Sequence, residues 1–254
     1  MNEVVLQTHE LVKRFGGIAA TNHVTMAVRR GARHALIGPN GAGKTTLINQ
    51  LTGVMQPTSG RVVLNGRDIS GLSPNSRVGL GLARTFQINQ LFTSLTPLQS
   101  LAIAVSSRHD AARRWWKPLG SDGAIAAECE QLLQQFRLEA HAGQLTRELP
   151  YGKRRLLEIA LAVALKPQVL LLDEPAAGVP AAERADILAT VAALPEEVSV
   201  LLIEHDMDLV FSFANWITVL VSGAVLTEGA PAEIAKDERV RAVYLGETEV
   251  RHHG

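Results

Sequence analysis

Cysteine is nearly absent: Cys129 is the only one in 254 residues, so no disulfide can form within the chain. The opening Met1-Asn2-Glu3-Val4 carries no secretory pattern, and a reducing, cytoplasmic setting is expected. Aromatic residues make up 4%, and Lys plus Arg equals Asp plus Glu at 25 each. With neither a basic excess nor material for base stacking, no nucleic-acid partner is expected. Long apolar runs are missing too. Ile159–Leu165 and Val169–Leu172 are core-sized, well short of the roughly 18 residues a membrane span needs. Any membrane role would pass through a partner.

What is present suits a folded globule, with 46% hydrophobic residues. Val24, Met26 and Val28 alternate with Thr25 and Ala27, the period of a half-buried strand. His34-Ala35-Leu36-Ile37 is a short apolar strand that Gly38 breaks. Leu47, Ile48 and Leu51 then recur at helical spacing, predicting a helix over 45–52. Arg61-Val62-Val63-Leu64 before Asn65-Gly66 reads as a strand entering a hairpin. From about 89 to 165 the chain turns helical, with Ile125, Cys129, Leu132, Leu133 and Phe136 along one side of 124–138. Arg113-Arg114-Trp115-Trp116-Lys117-Pro118 is its most loop-like part. Val169-Leu170-Leu171-Leu172 and Val198–Ile203 are continuous apolar runs around a helical 181–194, a βαβ unit in a covered parallel sheet.

Gly38-Pro39-Asn40-Gly41-Ala42-Gly43-Lys44-Thr45 fits G-x-x-x-x-G-K-[ST], between a strand and a helix. Glycines let backbone N–H groups wrap phosphate oxygens, and the helix N-terminus adds positive potential. Lys44 is placed for the β and γ phosphates, and the Thr45 hydroxyl for Mg²⁺. Leu170-Leu171-Leu172-Asp173-Glu174 ends a buried strand on two carboxylates. Asp173 can reach Mg²⁺ through water, and Glu174 can polarise an attacking water as general base. No Asn-Lys-x-Asp base-reading motif is present, which argues against a GTPase.

With these motifs in this order, the chain resembles the ATP-binding cassette family over nearly its whole length. Leu149-Pro150-Tyr151-Gly152-Lys153 stands at the place of the family signature, Arg84-Thr85-Phe86-Gln87 resembles the Q-loop, and Ile203-Glu204-His205-Asp206 the H-loop. The resemblance implies an α/β fold: a P-loop NTPase (RecA-like) core with an N-terminal antiparallel β subdomain and an inserted α-helical subdomain. One domain over 1–254 would comprise a core at 1–88 and 166–235, a helical signature part at 89–165 and a tail at 236–254. ATP and Mg²⁺ are the implied cofactors. Phe15 would stack on adenine, while the segment from Gly38 to Thr45, with Thr46, would hold the phosphates. Gln87 would contact Mg²⁺ and the attacking water, and His205 the γ-phosphate. Leu149 to Lys153 would be lent to the ATP of a second cassette subunit.

Within the family, the ATP-binding subunits of branched-chain amino-acid uptake systems are most similar. Arg84-Thr85-Phe86-Gln87 with Leu91-Phe92, the Tyr-Gly signature followed by Leu157-Glu158-Ile159-Ala160, and Val240-Arg241-Ala242-Val243-Tyr244-Leu245-Gly246 carry that similarity. The implied partners are a second ATPase subunit, a copy of this chain or, by preference, a different chain, and membrane permease subunits. A periplasmic solute-binding protein would act indirectly, with this chain peripheral on the cytoplasmic face of the inner membrane. A groove beside Gln87, walled by Leu91 and Phe92, is the expected permease surface. A lipid-export ATPase and a soluble non-transport cassette are the alternatives. Two residues depart from the family pattern. Pro150 replaces a hydroxyl donor, with the Lys153 charge a partial substitute, and Pro180 stands where the D-loop has Asp or Asn. Either the partner's ATP site is weakened, or the changes are tolerated.

Overall fold

The computed structural model describes residues 3–85, 91–108 and 123–250, with side chains through Tyr244. In chain order the strands are β1 (Val4–Phe15), β2 (Ile18–Arg29), β3 (Arg33–Ile37), β4 (Ser59–Leu64), β5 (Arg67–Asp68), β6 (Leu82–Arg84), β7 (Val169–Asp173), β8 (Ser199–Ile203), β9 (Trp216–Val221) and β10 (Ala224–Gly229). The helices are α1 (Lys44–Leu51), α2 (Pro74–Gly79), α3 (Pro97–Arg108), α4 (Gly123–Gln135), α5 (Tyr151–Ala164), α6 (Ala181–Ala192), α7 (Met207–Phe213), α8 (Pro231–Ile234) and α9 (Glu238–Val250).

The chain divides into two compact units, 1–82 with 168–174 and 195–254, and 83–167 with 175–194. The helical unit thus includes 175–194 as well as 83–167.

In the first unit, one sheet is antiparallel in the order β2-β1-β4-β5. Val24, Met26 and Val28 are buried on β2 while Thr25 and Arg29 face out, as the alternation predicts. Asn65 and Gly66, at φ 48° and 76°, turn β4 into β5, the geometry that an Asn-Gly pair supplies at little cost. The second sheet runs β10-β9-β3-β8-β7, with β6 at its edge starting at Leu82, the last residue of the unit. Strands β7, β8, β3 and β9 are parallel, and β10 closes antiparallel on β9. Every residue of β8 is buried, matching a strand covered on both faces. Leu47, Ile48 and Leu51 of α1 pack into one core with Leu36, Leu171, Leu201 and Ile203 and with Leu6, Leu11 and Val62 of the antiparallel sheet. Each such side chain contributes roughly 1.5–3 kcal/mol of burial.

The helical unit packs α3, α4 and α5 together. The predicted face of α4 is the buried one, with Ile125, Cys129, Leu132 and Leu133 inward and Phe136 just beyond. Arg108, the last residue of α3, donates Nε–H to the Ala164 carbonyl of α5 at 2.6 Å and pairs with Glu128 of α4. Lys166 reaches the same carboxylate at 3.3 Å. A cavity of about 740 Å³ opens between α3 and α4, lined by Leu98, Ile103, Ile125, Cys129 and Leu133 among others.

Candidate active site

Three adjacent parallel strands, β3, β8 and β7, end side by side, and each hands over to a segment singled out in the sequence. Ligands of open α/β sheets bind at such carboxyl ends. After β3 comes the glycine loop. Gly38 at φ 154° and Gly43 at φ 99° take backbone conformations unsuited to a side chain. A Cβ on either would lie 2.1 Å from a carbonyl oxygen, that of Leu220 or of Ala20. At Gly41 a Cβ would meet nothing within 4 Å, leaving room above the loop. Lys44 keeps its ammonium over the loop by donating to the carbonyls of Gly38 and Pro39. No side chain caps the N-terminus of α1, an end whose dipole favours an anion. Asn40 and Thr45 are exposed at the loop surface, while Pro39, Lys44 and Thr46 are half-buried and Ala42 is buried.

After β7, Asp173 ends the strand and Glu174 turns away at φ 47°, a left-handed backbone costing a non-glycine about 1 kcal/mol. Its N–H donates to the Ile203 carbonyl of β8 at 2.9 Å, and the side chain stays 45% exposed. After β8, the His205 N–H donates to the Glu204 carboxylate at 3.2 Å. His205 Nδ1 lies 3.7 Å from Glu174 Oε1 and 3.8 Å from Glu204 Oε2, ion-pair distances rather than hydrogen bonds. Asp206 then caps α7, accepting from the N–H groups of Asp208 and Leu209. A carboxylate and an imidazole thus leave the same edge of the sheet as the glycine loop.

Beside the loop lies the tip of the β1–β2 hairpin. Phe15 is 50% exposed, its ring 5.5 Å from the Lys13 ammonium, and Ile18, paired to it across the turn, is 74% exposed. Ile18 was missed in the sequence because a lone aliphatic in a strand looks like core. Its place opposite an exposed phenylalanine across a Gly-Gly turn is the signal that finds it. Together the two form an apolar platform.

The helical unit holds the signature residues. Leu149 is buried, and Pro150 is the N-cap of α5 at φ −55°, with no side-chain cap. Tyr151 donates its hydroxyl to the Ala177 carbonyl at 3.1 Å. A Cβ on Gly152 would stand 2.2 Å from Glu183 Oε2, so a larger residue there would displace the exposed Glu183 carboxylate. The Lys153 ammonium donates to the Arg137 carbonyl at 2.9 Å. That bond engages the charge the sequence reading offered as a substitute for the missing hydroxyl donor. Pro180 is likewise the N-cap of α6. An N-cap donates no intrahelical N–H, so proline at 150 and 180 leaves both helices intact. Gln87, Trp115, Trp116 and residues 251–254 lie outside the described residues.

Residues 21–177 match the family described as ABC transporter, and residues 224–250 match the branched-chain amino acid ATP-binding cassette transporter segment. The chain is 39% identical to the high-affinity branched-chain amino acid transport ATP-binding protein BraF of Pseudomonas aeruginosa, covering 97% of this chain and 100% of that protein. It is 35% identical to LivG of Escherichia coli K12, with the same coverage. Among solved structures it is similar to MJ1267, an ATP-binding cassette of an ABC transporter in its ADP conformation. That likeness has a TM-score of 0.84 and 29% identity over 96% of this chain and 99% of the other.

Proposed function

The chain belongs to the ABC transporter family as an ATP-binding subunit, and from that premise we propose how its residues work and what they serve. One observation carries the reading: the glycine loop, Asp173-Glu174 and His205 leave three neighbouring strands at the same edge. The N–H groups of Gly38 to Thr45 and the Lys44 ammonium bind the β and γ phosphates, with Thr46 on the same first turn. Thr45 and, through water, Asp173 fit Mg²⁺, a hard cation that completes its shell with phosphate oxygens and water, and Gln87 is a further contact. When bound, the metal supplies charge neutralisation on the phosphates. Glu174 accepts the proton of the attacking water, His205 faces the γ-phosphate, and Phe15 stacks on adenine with Ile18 beside it.

A second subunit supplies its own signature to this loop and receives Leu149 to Lys153 in return. The uncapped N-terminus of α5 supports that exchange, since its N–H groups are free for the opposite phosphate. ATP then acts as an interface ligand that favours the closed pair until hydrolysis removes it. The second subunit is a copy of this chain or, as the favoured reading, a different chain. Exposed Phe92, Leu98 and Ile103 support docking of a membrane permease on the helical unit, at the cytoplasmic face of the cell membrane. The C-terminal match at 224–250 supports import of a branched-chain amino acid or a related small organic solute, delivered by a periplasmic binding protein. Reconstitution with the permease in vesicles tests this. ATP-dependent uptake of labelled leucine, lost with Glu174→Gln, is expected. ATP-dependent export of lipid instead would overturn it.

A further inference from the structure

Arg77 is fully buried, the bulkiest side chain with almost no exposure among the described residues. All its hydrogen bonds go to main-chain carbonyls. Nη1 donates to Gln50 O at 2.7 Å and Leu51 O at 2.6 Å, Nη2 to Ser70 O at 2.8 Å, and Nε to Leu72 O at 3.1 Å. Gln50 and Leu51 are the last two residues of α1, so a guanidinium closes the end of the helix that begins at the phosphate loop. The fit is tight. A Cβ on Gly53 would come 2.7 Å from Arg77 Nε. Burial lowers the guanidinium's pKa and Asp68 opposes that shift, but an arginine stays charged.

Gln50 is fully buried too, and its side chain points the other way. Its Oε1 accepts from Thr21 Oγ1 at 2.9 Å, and its Nε2 donates to the Val12 carbonyl at 3.3 Å. Thr21 lies on β2 and Val12 on β1, each three residues from the exposed Ile18 or Phe15 at the tip. The last turn of α1 is therefore gripped from both sides. Arg77 holds its carbonyls, and Gln50 ties it to the hairpin that carries the apolar platform.

An α-helix of eight residues is too short to hold its own axis, so its direction is set by what grips its ends. At the N-terminal end the grip is the glycine loop, and at the other it is Arg77. We propose that Arg77, acting through Gln50, is a positioning residue that fixes the span between the phosphate loop and the adenine-stacking hairpin. This rests on the ATP-binding reading given above. A ligand that engages both ends at once gains from that fixed span, because the second contact needs no further ordering. A ligand that engages only the loop gains nothing from it.

ATP and inorganic tripolyphosphate separate these cases. With Mg²⁺, binding of each is measured by calorimetry to wild type, Arg77→Lys and Thr21→Val, alongside each variant's thermal midpoint. Lysine keeps the charge but cannot reach four carbonyls in a planar fork. Thr21→Val is nearly isosteric and removes only the bond to Gln50, so it serves should Arg77→Lys fail to fold. The expected result is ATP affinity reduced at least tenfold by Arg77→Lys and about threefold by Thr21→Val, with tripolyphosphate changed less than twofold by either. Equal losses for both ligands, or lowered midpoints with both affinities intact, would overturn the proposal. A wild type that binds tripolyphosphate but not ATP would instead sink the nucleotide reading itself.

Discussion

Glu174 sits in a left-handed backbone while its N–H is held by Ile203 and its carboxylate is half-exposed. The main chain aims the side chain, so a change that keeps its shape leaves the aim intact. Glu174→Gln is therefore expected to fold with a Tm within about 2 °C of wild type and to bind ATP. Its hydrolysis should fall by about 10²–10⁴-fold, measured as phosphate release. His34 is a second residue with a measurable signature. It is fully buried, with Nε2 2.8 Å from Thr218 Oγ1. Burial first, then the nearby Arg29 charge, lower its pKa to about 4. The unfolded chain then takes up a proton at higher pH than the folded one. Its contribution to stability is whole above about pH 6.5 and is lost as pH falls toward 4, about 2–3 kcal/mol by pH 4.5. Urea unfolding at pH 7.5 and 4.5 should show that much less acid sensitivity in His34→Gln. Residue pattern pointed to Gly38–Thr45 and Asp173-Glu174, because phosphate chemistry favours those residue types in those runs, whereas His205 came only from the family resemblance. The fold ends all three on neighbouring strands. The pattern did not expose Arg77. A lone arginine in a polar stretch looks solvated, and only the fold brings four carbonyls around it.

Among the secondary-structure elements, the short helix starts carry the signature. Pro150 and Pro180 occupy N-caps, where the residue's carbonyl begins the helix: Pro150 O accepts from Arg154 and Pro180 O from Glu183. Proline's fixed φ suits that place, and the N–H groups from Tyr151 onward remain. Pro150→Ser is thus expected to change the ATPase rate of the assembled pair less than about threefold, while the added hydroxyl cap stabilises α5 by about 0.5–1 kcal/mol. A rise above tenfold would mean that proline had crippled the partner's site. Arg108 plays another part, joining the ends of α3 and α5 to the middle of α4. Arg108→Met should cost about 1–3 kcal/mol. The loss should appear in hydrogen exchange as weaker protection of α3, α4 and α5 with the β-rich unit unchanged. The strands β7 and β8 were legible as unbroken apolar runs because both their faces are covered, and α4 because burial of one face writes a period into the sequence. That 175–194 groups with the helical unit was not, since contacts such as the Tyr151 hydroxyl on the Ala177 carbonyl join residues distant in sequence.

At the scale of the whole molecule, one phosphate loop and one signature reside in separate units of the same chain. In the proposed function, each is half of a site that a second chain completes. Blocking hydrolysis should therefore trap the pair: Glu174→Gln mixed with its partner subunit, ATP and Mg²⁺ is expected to elute as a dimer, and ADP to release it. Persistence of monomers at ATP concentrations that saturate binding would count against the sandwich.

Cys129 is 1% exposed on α4, and burial followed by the neighbouring Glu128 charge raises its pKa. A thiol kept protonated and covered reacts slowly. It serves as a built-in clock, because the rate at which a thiol dye labels this protein reports how often the helical unit opens. For the same reason, one cysteine introduced on the surface would be the only fast-reacting thiol on the chain. Distance labels could then follow closure of the pair without removing the native residue.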